Sequence, residues 1–240
     1  MGVDTGTLDL LAIGAHPDDV EIGAGGTLAA LVSRGVRVGL VDLTLGELAS
    51  NGTPEERQRE AEQAGRELGL TVRWSAGLVE WPRDDGSALD ELVGAIRRFR
   101  PGVLLAPHPG DPHPGHAWAA RLAGEARYLG GLTRWGEGAP FRPRFLLHYF
   151  ICGETYPSLV IDVSHQYGRK RAALAAHASQ FQSRPGGTPT PLNTGAFLHM
   201  IEIRDRHWGT RMGVQFAEGF WTPEPVPMLD PRFLVNGGED

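Results

Sequence analysis

The sequence predicts a single α/β domain: a Rossmann-like, mostly parallel sheet with helices on both faces. Three observations carry this expectation. Short apolar runs of strand length alternate with amphipathic segments of helix length through the first half of the chain, which is the pattern of βαβ units with right-handed crossovers. Glycine and proline, 33 and 18 of 240 residues, punctuate these segments instead of pooling in one tract. No repeat, like-charge block or linker divides the chain, so residues 1–240 read as one domain.

Residues 8–14 are a short apolar run ending in a Gly-Ala-His-Pro corner, the mark of a buried strand. The helix that follows places Leu28, Leu31 and Val32 on one face, and Gly35 stops it. Residues 36–44 form the second strand. Thr53 as N-cap, Pro54 at the first helical position and Glu56 closing a capping box start a helix that runs to Leu68, before Gly69. Residues 71–76 are the third strand. Ser87 caps a helix whose apolar face is Leu89, Leu92, Val93 and Ile96. Residues 103–106 are the fourth strand, and residues 114–129 a further helix.

The second half is less regular. Residues 145–151 and 159–163 read as strands, and Ser164 caps a helix through Ala178. Residues 182–193, rich in Pro, Gly and Thr, form a surface loop, and residues 194–207 a helix. The Pro-rich end from Thr222 drapes over the surface.

Composition excludes several classes. With 29 acidic against 23 basic residues, a net charge of −6, the chain lacks the basic footprint of a nucleic-acid binder. No apolar run is long enough for a membrane-spanning helix. Residues 1–7 hold an Asp and no basic side chain, so no secretory signal is expected. The lone Cys152 excludes an internal disulfide, fits a reducing, cytoplasmic setting and reads as a buried thiol. Lys170 is the one lysine, which we read as compositional bias.

Two clusters carry chemistry. His16-Pro17-Asp18-Asp19 directly follows the first strand, and Asp111-Pro112-His113-Pro114-Gly115-His116 shortly follows the fourth. Imidazoles and carboxylates are the nitrogen and oxygen donors that zinc accepts, and a catalytic zinc needs three of them plus an open position. In a parallel sheet of order 3-2-1-4-5, strands 1 and 4 are neighbours, and ligands bind in the crevice beyond their carboxyl ends. Both clusters fall at those ends, and a helical start at Pro114 lets His113 and His116 face the crevice together. Competing readings are open at this level. Adjacent Asp residues are common turn formers, and two His with one carboxylate also make a non-haem iron site. The glycine run at residues 23–26 has Leu28 where a dinucleotide fingerprint needs its third Gly, so it reads as close helix–sheet packing. His108, His148, His165, His177, His199, His207 and the six tryptophans read as core or surface residues.

Ala15-His16-Pro17-Asp18-Asp19, His113-Pro114-Gly115-His116, Thr44-Leu45-Gly46-Glu47 and Ser179-Gln180-Phe181 together resemble the LmbE/PIG-L family of zinc-dependent N-deacetylases, which act on N-acetylglucosamine-containing substrates. Residues 45–52, the helix of Arg57, His148-Tyr149 and Ala217-Glu218-Gly219-Phe220 are most similar to the bacillithiol branch, the N-acetylglucosaminyl-malate deacetylases. The resemblance implies His16, Asp19 and His116 as zinc ligands, with ferrous iron fitting the same donors. It implies Asp18 as general base and His113 as second catalytic group, a small glycoconjugate as substrate, and a homo-oligomer. It also sets Arg57 against the malate carboxylate; without it, Arg57 reads as an exposed helical residue pairing with Glu60. Glu47 and Ser50, in the loop after the second strand, are expected to bond sugar hydroxyls, and Arg142 is a weaker anion contact.

Three positions depart from the branch. Pro112 stands where it has Arg, Gly115 where it has Asp, and Phe197 where it has Tyr. The lost Asp leaves Asp111, or a residue from elsewhere, to orient His113; the lost Arg removes a possible partner for a substrate carboxylate, and Phe197 lacks a hydroxyl donor to the oxyanion. Pro112 and Phe197 keep a deacetylase of chitooligosaccharides or another conjugate in view, and a sugar-binding protein without catalysis is a separate alternative.

Overall fold

Strand β1 (Leu10–Gly14) is buried at every position and lies between β2 (Val38–Thr44) and β4 (Val103–Pro107), parallel to both. A strand covered on both faces must be apolar throughout, which is why Leu-Leu-Ala-Ile-Gly carries no polar alternation. Leu10 aligns with Val38 on one side and Val103 on the other, so the segments leaving β1 and β4 emerge side by side. This computed structural model describes residues 6–80, 85–153 and 155–227.

The sheet continues through β3 (Val72–Leu78) beyond β2 and β5 (Phe145–Tyr149) beyond β4, all parallel. Its far edge holds β6 (Leu159–Asp162) and β7 (Ala217–Trp221), giving the order β3-β2-β1-β4-β5-β7-β6. β7 runs antiparallel between β5 and β6. Pattern reading does not find it, because Ala-Glu-Gly-Phe-Trp is too short and mixed to signal a strand. The mostly parallel α/β class stands.

The helices are α1 (Asp19–Val32), α2 (Pro54–Leu68), α3 (Asp85–Phe99), α4 (Pro114–Gly130), α5 (Tyr167–Ala176), α6 (Ala178–Phe181) and α7 (Ala196–Met212). The Thr53 hydroxyl accepts the Glu56 N–H at 3.2 Å, and Gly69 ends α2 at φ +76°. Three boundaries differ from expectation. Ser87 lies inside α3 and does not cap it. The helix expected over 164–178 is a 3-10 turn, then α5, then α6, broken at His177 (φ −80°, ψ 53°). α7 runs past His207 until Gly213 turns it at φ +75°. Residues 223–227 are exposed; the rest of the expected surface tail lies outside the described residues.

Alternate β1 side chains feed opposite cores. Leu11 and Ile13 join Leu92, Ile96 and Leu122 on the α3/α4 side, while Leu10 and Ala12 join Leu28, Leu40 and Leu174 on the α1/α5 side. The glycine run does serve close packing: a Cβ on Gly23 would fall 2.2 Å from the Tyr149 ring. α1 is also bonded to other elements through its backbone. Gly26 and Thr27 donate their N–H groups to Glu218 at 2.9 and 2.7 Å, and Ile22 O accepts from Arg204. Glu218 and Asp205 meet Nζ of Lys170 at 2.7 Å each, all three fully buried. Lys170 is therefore structural. No helix among the described residues is long and apolar enough to cross a membrane.

Candidate active site

The first cluster folds as a corner closed by its own last residue. Oδ2 of Asp19 accepts the N–H groups of Ala15 and His16, each at 2.9 Å. Its other oxygen, Oδ1, lies 3.1 Å from Nε2 of His116. Between them Asp18 sits at φ +116°, a left-handed backbone that a non-glycine residue adopts only where surroundings enforce it. That geometry turns the Asp18 side chain away from Asp19, so neighbouring carboxylates face different partners.

The second cluster is built by the start of α4. His113 is the N-cap, and its Nδ1 accepts the Gly115 N–H at 3.2 Å. Asp111 Oδ1 accepts the His113 N–H and stands 2.9 Å from His116 Nδ1; Oδ2 accepts the N–H of Cys152 at 3.0 Å. The expectation that Asp111 orients His113 through its ring is therefore corrected: Asp111 orients the His116 ring and meets only the backbone of His113.

The two clusters meet. Ring centroids of His16 lie 5.1 Å from His113 and 5.4 Å from His116, and nitrogens of all three come within 4.8 Å of one another. Burial lowers the basicity of His16 and His116, but facing carboxylates outweigh it. Asp19, then Glu80, brings His16 up to about 9; Asp19, then Asp111, brings His116 up to about 12. Burial likewise raises Asp19, yet His116 and His16 hold its carboxyl well below the usual range. A carboxylate arrangement that draws protons onto two imidazoles also draws a divalent cation, and a ligand His is ordinarily oriented by a carboxylate on its other nitrogen, as His116 is by Asp111. The donor set therefore fits a metal.

Asp18 is pushed up to about 6 by burial, with Arg57 opposing and Asp19 adding to the rise. His113 is lowered by burial and by the neighbouring His116 and His16. Both side chains line a cavity of about 390 Å³ together with His16, Asp19 and His116.

The remaining expected contacts divide. Ser50 lines the cavity. Glu47 does not; its Oε1 accepts the Glu80 N–H at 2.7 Å and so braces the carboxylate beside His16. Arg142 lies elsewhere, donating to Tyr128 O and resting over the Tyr128 ring. Arg57 is neither exposed nor paired with Glu60, whose oxygens take the N–H and hydroxyl of Ser179. Its guanidinium lines the cavity and is bonded to Pro17 O, Gly46 O and Asp18.

Sequence reasoning missed Glu80, which follows β3 and stands 3.1 Å from His16 Nε2; its place at a strand's carboxyl end was the available signal. It also misjudged Cys152, which is exposed and lines the cavity. Phe197 lines the cavity too, its ring parallel to Phe181 at 6.2 Å.

The family model described as PIG-L, the GlcNAc-PI de-N-acetylase, matches residues 11–127, a span holding both clusters. The diacetylchitobiose deacetylase of Thermococcus kodakarensis is 28% identical over 225 residues, covering 88% of this chain and 81% of that protein. The mycothiol S-conjugate amidase of Streptomyces coelicolor is 34% identical over 205 residues, 72% of this chain and 66% of its own length. Among solved structures, the conserved protein TT1542 from Thermus thermophilus is similar with a TM-score of 0.84 and 39% identity, over 94% of this chain and 99% of that one.

Proposed function

Because this chain belongs to the PIG-L/LmbE family of de-N-acetylases, we propose that it hydrolyses the acetamide of an N-acetylglucosamine unit in a small glycoconjugate, using a divalent metal. One observation carries the reading: His16, Asp19, His116, Asp18 and His113, from segments after β1 and β4, line the same cavity.

His16, Asp19 and His116 would hold the metal, zinc first and ferrous iron by the same donors; when bound it polarises the acetyl carbonyl and acidifies water. Asp18 is the general base. A carboxylate raised to about 6 is ionised at neutral pH yet basic enough to accept the proton of the attacking water. The water oxygen bonds to the acetyl carbon, the C–N bond breaks, and the proton held by Asp18 passes to the departing amine. His113 is the oxyanion donor. With Nδ1 accepting from Gly115, the neutral ring carries its proton on Nε2, where it can donate to the developing charge.

For the aglycone, N-acetylglucosaminyl malate is the reading that the resemblance of residues 45–52 and the α2 helix supports. A neutral N-acetylglucosamine oligomer is the second. It is favoured because Arg57, the one guanidinium among the described lining residues, already bonds protein acceptors through both Nη atoms. The test is acetate release from the malyl glycoside and from N-acetylglucosamine oligomers by metal-loaded protein, with and without chelator. We expect chelator-sensitive release from at least one. Full turnover by metal-stripped protein, or no release from either substrate, would sink the proposal.

A further inference from the structure

We propose that Arg57 is a positioning residue that enforces the backbone of Asp18, and not the contact for a substrate carboxylate; this rests on Asp18 being the base. Arg57 projects from α2 into the corner after β1 and is 3% exposed. Its Nη2 donates to Pro17 O at 2.6 Å and to Asp18 Oδ2 at 3.3 Å, and its Nη1 donates to Gly46 O at 3.1 Å.

The Pro17 contact is the informative one. Pro17 C=O and Asp18 N belong to one planar peptide unit, so gripping that oxygen fixes rotation about the N–Cα bond of Asp18. That rotation is the φ of +116° found there. The same guanidinium then meets the Asp18 carboxylate, so one planar fork sets both backbone and side chain of the base. Gly46 supports the arrangement from the other side. It sits at φ +64°, and a Cβ there would fall 1.8 Å from Nη1, so only glycine lets the loop after β2 come this close. Nε of Arg57 is buried without a partner. A ligand carboxylate could take the fork only by displacing the acceptors that hold the corner.

The experiment measures kcat and KM for Arg57→Met and Arg57→Lys on the malyl glycoside and on an uncharged N-acetylglucosamine disaccharide, with metal content, and solves the crystal structure of Arg57→Met. Expected are a fall in kcat of roughly 100-fold on every substrate that wild type turns over, unchanged KM, full metal content and partial recovery with Lys. The Pro17–Asp18 peptide should be rotated in the crystal. Gly46→Ala, which displaces the guanidinium and keeps its charge, should show the same kcat loss and carries the test if Arg57→Met fails to fold. A KM increase confined to the malyl glycoside with kcat intact would overturn the inference, as would unchanged kcat throughout. If wild type releases no acetate from either substrate, the deacetylase reading falls by itself. The peptide orientation in Arg57→Met still decides the role of Arg57: an unmoved peptide refutes it.

Discussion

Oδ1 of Asp111 lies 2.9 Å from Nδ1 of His116, leaving Nε2 of the same ring to face Asp19 at 3.1 Å. The imidazole is thus held between two carboxylates, Asp19 in the proposed metal donor set and Asp111 behind it. Asp111 is tied in turn to the N–H groups of His113 and Cys152, so this contact sets the ring relative to the start of α4 and the segment after β5.

Removing that support should loosen the metal. Asp111→Ala is expected to weaken divalent-metal affinity by roughly 10–100-fold, read by competition with a chromophoric chelator. Affinity equal to wild type would show that His116 needs no orienting partner.

Acid stability should depend on Glu21, which is fully buried with Arg73 and His177. Burial raises its carboxyl, but Arg73 and then His177 outweigh this and lower it to about 2 from 4.5. A folded value below the unfolded one means the contribution is complete above about pH 4.5 and is lost as pH falls towards 2. Urea midpoints should therefore drop through this window in wild type. Glu21→Gln should be less stable at neutral pH and lose less on acidification; parallel pH profiles would contradict the assignment.

Lys170→Met should destabilise the fold strongly. It strips the counter-charge from Asp205 and Glu218, both buried, and breaking a buried pair costs about 3–5 kcal/mol. Denaturant titration reads the loss, and a change under about 1 kcal/mol would mean that the carboxylates find other partners.

Gly23→Ala tests the contact between α1 and β5. Helix propensity favours Ala by about 1 kcal/mol, but the added Cβ would sit 2.2 Å from a Tyr149 ring that is fully buried and whose hydroxyl donates to Ile13 O. Overpacking of this kind costs about 1–3 kcal/mol, so the melting temperature should fall. A rise would show that the ring can move.

Much of the site was legible because its two clusters are contiguous in sequence and lie at predictable strand ends. What escaped prediction were residues whose role depends on a distant partner. Glu80 serves His16 across 64 positions with no motif to announce it. Glu218, although part of the Ala217-Glu218-Gly219-Phe220 motif, reaches Gly26 across 192 positions that the motif does not reveal. Arg57 was legible as a helical arginine, yet its amphipathic surroundings gave no sign that the side chain turns inward.

By itself the amino-acid order determined the run of βαβ units, and hence that residues 15–19 and 111–116 leave the carboxyl ends of parallel strands; that β1 and β4 are neighbours is fixed by the sheet order. Apolar periodicity is a local property, and parallel crossovers follow from it. Tertiary structure alone decided that β7 lies between β5 and β6, that Lys170 is buried between two acids, and that Asp111 supports His116. It alone decided that Arg57 grips the Pro17–Asp18 peptide. Those outcomes are choices among many chemically equal partners, and only the close approach of elements far apart in the chain, in a dense interior, selects one.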